Sequence, residues 1–189
     1  MQMNKNYVKG YCDEVITSIN KLPMEKVEKI ARILYMASVK NKNIILMGNG
    51  GSAATASHFV CDLVKGLSMP GKKRFKAIAL CDNVSTMMAY ANDCSYEMIF
   101  QEQLKSFAKK GDVVIGISAS GNSKNVLNAI KVANKLGATT IGLTGFKGGK
   151  LKFIVSECVI VPSDSMERIE DIHLVILHAI KLYLLKLMK

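Results

Sequence analysis

Between residues 43 and 162 five short segments, NIILM, FKAIAL, DVVIGIS, TTIGLT and CVIVP, are rich in β-branched and aliphatic residues and almost free of polar interruption. A strand with one face in water alternates apolar and polar residues. A strand that does not alternate must be covered on both faces, which is the condition of a buried parallel sheet. Helical segments over about 53–67, 84–108 and 124–136 fall between these runs, and strand–helix–strand alternation builds βαβ units. The expected fold is α/β: a three-layer, doubly wound sandwich around a five-stranded parallel sheet of the flavodoxin-like type.

Two pieces stand outside that rhythm. Residues 4–40 read as two extra N-terminal helices split at Leu22-Pro23, the first with Val8, Cys12, Val15 and Ile19 on one stripe. The last segment, RIEDIHLVILHAIKLYLLKLMK, is apolar almost all round. Such a helix needs covering on more than one side, and another copy of the chain is the cover at hand, so a homo-oligomer is expected. The organisation expected is one domain over 1–189, with N-terminal helices to about 40, an α/β core over 41–165 and a C-terminal helix over 166–189.

Charge narrows the partners. The formal net charge is +11, yet only Arg32, Arg74 and Arg168 of the 26 basic residues are arginines, and the lysines are scattered without interleaved aromatics. That is a solvated lysine surface rather than a nucleic-acid face, and its field favours phosphorylated small molecules. The apolar runs are far shorter than the roughly 20 residues that span a bilayer, and the start MQMNKNY has no signal-peptide core, so no membrane is expected and the compartment expected is the cytoplasm. Cys12, Cys61, Cys81, Cys94 and Cys158 are odd in number and widely spaced, which fits reduced thiols.

Two loops carry the chemistry. In GNGGSAATASHFVCDL, Gly48–Leu63, a glycine loop runs into a helix on which His58 and Asp62 share a face. Glycines let backbone N–H groups approach an anion, and the helix start favours negative charge. In DVVIGISASGNSKNV a buried strand ends in Ser118, Ser120 and Ser123 around Gly121-Asn122, where the next helix begins. One serine would suffice as a helix cap; three hydroxyls at a strand's carboxyl end make a phosphate cradle. Gly48-x-Gly50-x-x-Ala53 matches a dinucleotide fingerprint only loosely, with no acidic residue about 20 positions on, and no P-loop motif occurs. No nucleotide cofactor is expected. On the final helix Glu170 and His178 lie two turns apart, roughly 80° around the axis. With His58 and Asp62 they make two imidazoles and two carboxylates, suited to a divalent ion or to metal-free acid–base work.

These residues resemble a known family. Gly48-Asn49-Gly50-Gly51-Ser52, His58-Phe59, Asn92-Asp93, Ser118-Ala119-Ser120-Gly121-Asn122-Ser123, Leu143-Thr144-Gly145 and Arg168-Ile169-x-x-Ile172-His173-x-x-x-x-His178 are together similar to a sugar isomerase (SIS) domain of the phosphoheptose isomerase type. The resemblance implies a homotetramer, with active sites between subunits, that converts sedoheptulose 7-phosphate to glycero-manno-heptose 7-phosphate. It implies that Ser118, Ala119, Ser120 and Ser123 hold phosphate. Asn49, Gly50, Gly51, Ser52, Asn92, Asp93 and Glu170 contact substrate, Asp62 is the base and His178 its partner. Zinc occurs in some members, at the positions that here are His58, Asp62, Glu170 and His178. Two residues depart from the family pattern: Asp62 replaces the usual glutamate and Glu170 the usual glutamine. The added carboxylate favours metal, while the lost methylene moves the base by about 1.5 Å, so the substrate stays open. Two rivals share the cradle: a non-catalytic phosphosugar sensor or protein-binding regulator, and an isomerase of another sugar phosphate.

Overall fold

The computed structural model describes residues 6–189; positions 4 and 5, where the expected first helix begins, lie outside the described residues. Helices α1 (Tyr7–Asn20) and α2 (Met24–Val39) come first, and the chain breaks between them at Pro23. Proline lacks the N–H a helix interior needs, so it separates the two. There follow β1 (Asn43–Gly48), α3 (Gly51–Cys61), β2 (Lys76–Ala79), α4 (Val84–Asp93), α5 (Ile99–Phe107), β3 (Val113–Ile117), α6 (Lys124–Lys135), β4 (Thr139–Thr144), β5 (Glu157–Ile160) and α7 (Met166–Met188).

The five strands are all parallel in the order β2-β1-β3-β4-β5. β3 is buried along its whole length and β1 along all but its first residue, as their unalternating sequences require. The edge strand β2 alternates exposed and buried residues instead. Helices cover both faces, so the α/β doubly wound sandwich is borne out.

Two local departures from the expected helices matter. The single helix expected over 84–108 is broken at Cys94-Ser95: Ser95 is extended at φ −165°, and a short 3₁₀ turn, Tyr96–Met98, leads into α5. Asn92 and Asp93 still close α4, with Asn92 Nδ2 donating to Asp93 Oδ1 at 2.8 Å, and the chain leaves the helix at Cys94, whose φ of −122° and ψ of −88° are not helical. The second departure follows α3, which does not end at Cys61 but widens into one π-helical turn, Asp62–Gly66. Such turns concentrate at functional sites.

Helix α7 buries one face, Ile169, Ile172, Ile176, Leu177, Ile180 and Leu184, and leaves Val175 and Leu182 exposed. On α1, Ser18 is the buried residue, while Val8 and Cys12 face outward and Val15 and Ile19 are half-covered. Among the described residues no helix is long and apolar enough to cross a membrane.

Candidate active site

Because β2 lies on one side of β1 and β3 on the other, the chain changes direction across the sheet between β1 and β3. Ligands of such sheets bind outside the carboxyl ends of the strands at that switch. Both chemistry-bearing loops leave from there: Asn49-Gly50 after β1 and Ser118–Ser123 after β3.

The serine loop is braced from outside and open within. Gly121 has φ +64°, and a Cβ there would lie 2.2 Å from the Gly148 carbonyl oxygen, so only glycine fits. Gly145 N–H donates to the carbonyl of buried Ala119 at 2.8 Å, and Lys150 N–H donates to Asn122 Oδ1 at 3.1 Å. Ser123 occupies the N-cap position of α6, yet its side chain does not cap the helix. Its Oγ instead lies 3.0 Å from Ser118 Oγ. A turn built only to start a helix would use that hydroxyl on the helix's own N–H groups; here Val126 N–H is met by Asn125 Oδ1 at 2.9 Å instead, and the Ser118 and Ser123 hydroxyls stay with each other beside the helix start. Ser120 accepts from Asn122 N–H at 3.2 Å and opens with Asn122 and Lys147 onto a cavity of about 690 Å³.

The glycine loop is tied to the serine loop by a reciprocal amide pair. Asn49 Nδ2 donates to Asn125 Oδ1 at 3.0 Å, Asn125 Nδ2 donates to Asn49 Oδ1 at 2.8 Å, and Tyr96 hydroxyl donates to the same oxygen at 2.9 Å. Asn49 and Gly50 line a cavity of about 210 Å³ together with Ala91 and Tyr96, while Asn92 and Asp93, which fall between those two in sequence, are exposed and do not line it. Ser52 is buried at the start of α3. A Cβ on Gly51 would meet the Glu170 carboxylate at 2.5 Å, so the glycine lets that carboxylate sit against the helix start, where the dipole favours it.

Further along α3 lies the acid–base group. His58 Nε2 and His178 Nε2 are 3.0 Å apart, one ring donating its N–H to the other. Asp62 Oδ2 stands 3.5 Å from His178 Nε2 and 3.8 Å from His58 Nε2. It is buried and has no hydrogen-bond partner. The other carboxylate oxygen, Oδ1, accepts from Lys181 Nζ at 2.6 Å. Helices α3 and α7 run side by side in the same direction, matching Gly51 with Glu170, His58 with His178 and Asp62 with Lys181.

An orphaned carboxylate oxygen converging with two imidazole nitrogens fits a divalent cation, and one ligand atom from each of His58, Asp62 and His178 lies within 4.8 Å of the others. Glu170 is not in this group. It lies eight residues up α7 from His178, about 12 Å at the helical rise. The third histidine is structural. His173 is buried, its Nε2–H donates to the Thr144 carbonyl at 3.1 Å, and burial pushes its pKa down to about 4.

Three residues of this region were not singled out from the sequence. Asn125 is a polar residue on the apolar face of α6 among Val126, Ala129 and Ile130, and that misfit is its signal. Tyr96 lies beyond the helix break and had none. Lys181 sits three residues after His178 in an apolar stretch, a spacing that shares a helix face.

A doubly wound sheet with a hydroxyl-bearing loop at its switch point and a carboxylate–imidazole group on the flanking helices is an arrangement suited to phosphorylated small molecules. Residues 7–145 match the SIS domain family model. The chain is 44% identical over 172 residues to a probable phosphoheptose isomerase of Thermoplasma acidophilum, spanning 91% of this chain and 94% of that one. It is 45% identical over 159 residues to the phosphoheptose isomerase of Aliarcobacter butzleri, spanning 84% and 82%. The solved structure of phosphoheptose isomerase from Neisseria gonorrhoeae superposes with a TM-score of 0.87 at 30% identity, covering 94% of this chain and 96% of that one. The chain therefore belongs to the SIS-domain family and, within it, to the phosphoheptose isomerases.

Proposed function

We propose that the protein interconverts sedoheptulose 7-phosphate and glycero-manno-heptose 7-phosphate through an enediol. The observation that carries this reading is Asp62 Oδ2: buried, without a partner, and facing two imidazoles. Isomerisation moves a proton between C1 and C2 while the neighbouring oxygens exchange theirs. It needs a carboxylate to take the carbon-bound proton and a group of near-neutral pKa for the oxygens. Asp62 serves as the base and His178 as the acid, with His58 sharing the proton that His178 passes on. His58, Asp62 and His178 would hold a divalent ion such as zinc, which polarises substrate oxygens when bound. Ser118, Ser120 and Ser123 hold the phosphate with the N–H groups at the start of α6, and Asn49, Gly50, Gly51, Ser52, Asn92 and Asp93 line the sugar. Glu170 contacts substrate from its place beside Gly51.

The assembly proposed is a homotetramer with shared active sites. Asp62 is eleven residues from Gly51, about 16 Å along the helix. A seven-carbon chain with its phosphate is a zigzag of eight links of about 1.5 Å, on the order of 10 Å. A substrate seated at the glycine loop of one subunit is too short to reach that subunit's own Asp62, which supports completing the site with the base of another, and the open sides of α1 and α7 supply apolar surface for the contact. The compartment proposed is the cytoplasm, in keeping with five free cysteines.

The test is incubation of purified protein in deuterated water with five- to seven-carbon ketose phosphates, with and without zinc, following aldose formation. Deuterium entering C1 or C2 of sedoheptulose 7-phosphate is expected. Tight phosphosugar binding without exchange would replace the enzyme by a sensor.

A further inference from the structure

The cluster holds a cation of its own. Lys181 reaches across from α7 to Asp62 Oδ1 at 2.6 Å, with 27% of its side chain exposed against 10% for Asp62. Room for it is built in: a Cβ on Gly66, the last residue of the π turn, would press on Lys181 Cε at 3.0 Å and Nζ at 3.3 Å. The widened turn thus brings a residue without a side chain alongside the lysine stem. The contact also divides the carboxylate. Oδ1 is held by the ammonium, so Oδ2 is left bare and directed at the two imidazole nitrogens.

We propose that Lys181 is a positioning residue that fixes Asp62 for proton transfer and, as a resident positive charge on the same carboxylate, weakens divalent-metal binding at His58, Asp62 and His178. Two consequences are physical. A carboxylate with one oxygen pinned loses the torsional freedom that would let it turn away from substrate, and small misplacements of a base cost large factors in rate. A dication entering the group meets the ammonium's charge in a partly desolvated place, where like charges repel more strongly than in water. A lysine is a compact point charge that a metal cannot share, so the two compete for one carboxylate. The inference rests on Asp62 being the base, and its first test does not.

Lys181→Met keeps the apolar stem and removes the charge; Lys181→Arg keeps the charge. Cobalt(II) alone, titrated into each full-length protein and followed by its visible absorption, reports binding to the nitrogen–carboxylate group without any substrate. The Met variant should bind cobalt about tenfold more tightly than wild type, and the Arg variant as weakly as wild type. Equal or weaker binding by the Met variant, or tight binding by the Arg variant, would overturn the proposal even if no sugar is turned over. In chelator-treated protein the Met variant should lose about tenfold in kcat with KM for the phosphosugar unchanged, and the Arg variant should recover it. An unchanged kcat in the Met variant would remove the positioning role. Gly66→Ala, which crowds the lysine without removing its charge, should lower kcat in the same way while melting as a folded protein; a wild-type kcat there would also count against it.

Discussion

His173 ties stability to pH with a magnitude that follows from its surroundings. Its ring is almost wholly buried on α7, its Nε2–H is spent on the Thr144 carbonyl, and its Nδ1 has no partner. Protonating Nδ1 in the folded state would bury an unpaired charge, so the folded pKa is pushed down to about 4 from the ordinary 6.5. Between these values the unfolded chain binds a proton that the folded chain refuses. The folded state is therefore favoured fully above pH 6.5 and loses that advantage as pH falls towards 4. Every tenfold difference in proton affinity between the two states is worth about 1.4 kcal/mol, so the loss from pH 7 to pH 4 is about 3 kcal/mol. Gln at 173 places an amide nitrogen near the position of Nε2 and does not titrate. Urea unfolding of wild type and His173→Gln at fixed protein concentration, at half-unit steps from pH 7 to pH 4, isolates the residue because the carboxylates contribute equally to both. The stability difference between them should change by about 3 kcal/mol in favour of the variant across that range. A difference constant within about half a kcal/mol would refute the reasoning and place a proton or a water on Nδ1 in the folded protein.

Asp62→Asn keeps size and polarity but removes the base, so turnover of sedoheptulose 7-phosphate should fall by about 10²–10⁴ while calorimetry still shows phosphosugar binding. His178→Gln should follow the same pattern. Ser120→Ala should weaken binding of every phosphosugar by about 1–2 kcal/mol with melting temperature little changed; unaltered affinity would reduce the serine run to a turn. Leu182→Asp places a charge on the outward side of α7, and light scattering at micromolar concentration should show the assembly dissociating. A wild-type protein that scatters as a monomer would end the shared-site proposal.

The sheet was legible because a buried parallel strand leaves an unambiguous trace. Ile44–Met47 and Val113–Ile117 have no alternation, and nothing but two covered faces explains them. Helix extents were less legible. The residues from Val84 to Ala108 contain no proline or glycine, so periodicity ran through Cys94-Ser95, where the chain leaves the helical conformation without either of the residues that usually mark a break. Local spacing put His58 and Asp62 on one face, and the structure sets them together with His178. It could not place Glu170 relative to them, because that depends on how far α7 lies along α3. The same limit hid the partner of Asp62: the lysine is visible in the sequence, and its reach to another helix is a fact of packing.

The matched spacing of α3 and α7 makes the two helices act as a ruler. The outer contacts, Gly51–Glu170 and Asp62–Lys181, span eleven residues on each helix with His58–His178 between them, so neither helix can gain or lose a residue between its outer marks and keep both unless the other follows. One inserted residue after Glu170 would turn everything beyond it by about 100° and carry it about 1.5 Å onward. The histidine pair and the ion pair would then fail together. Inserted or deleted residues should therefore be tolerated only outside those marks, such as in the stretch from Ser68 to Arg74 before β2, where a longer or shorter loop changes nothing that the ruler measures.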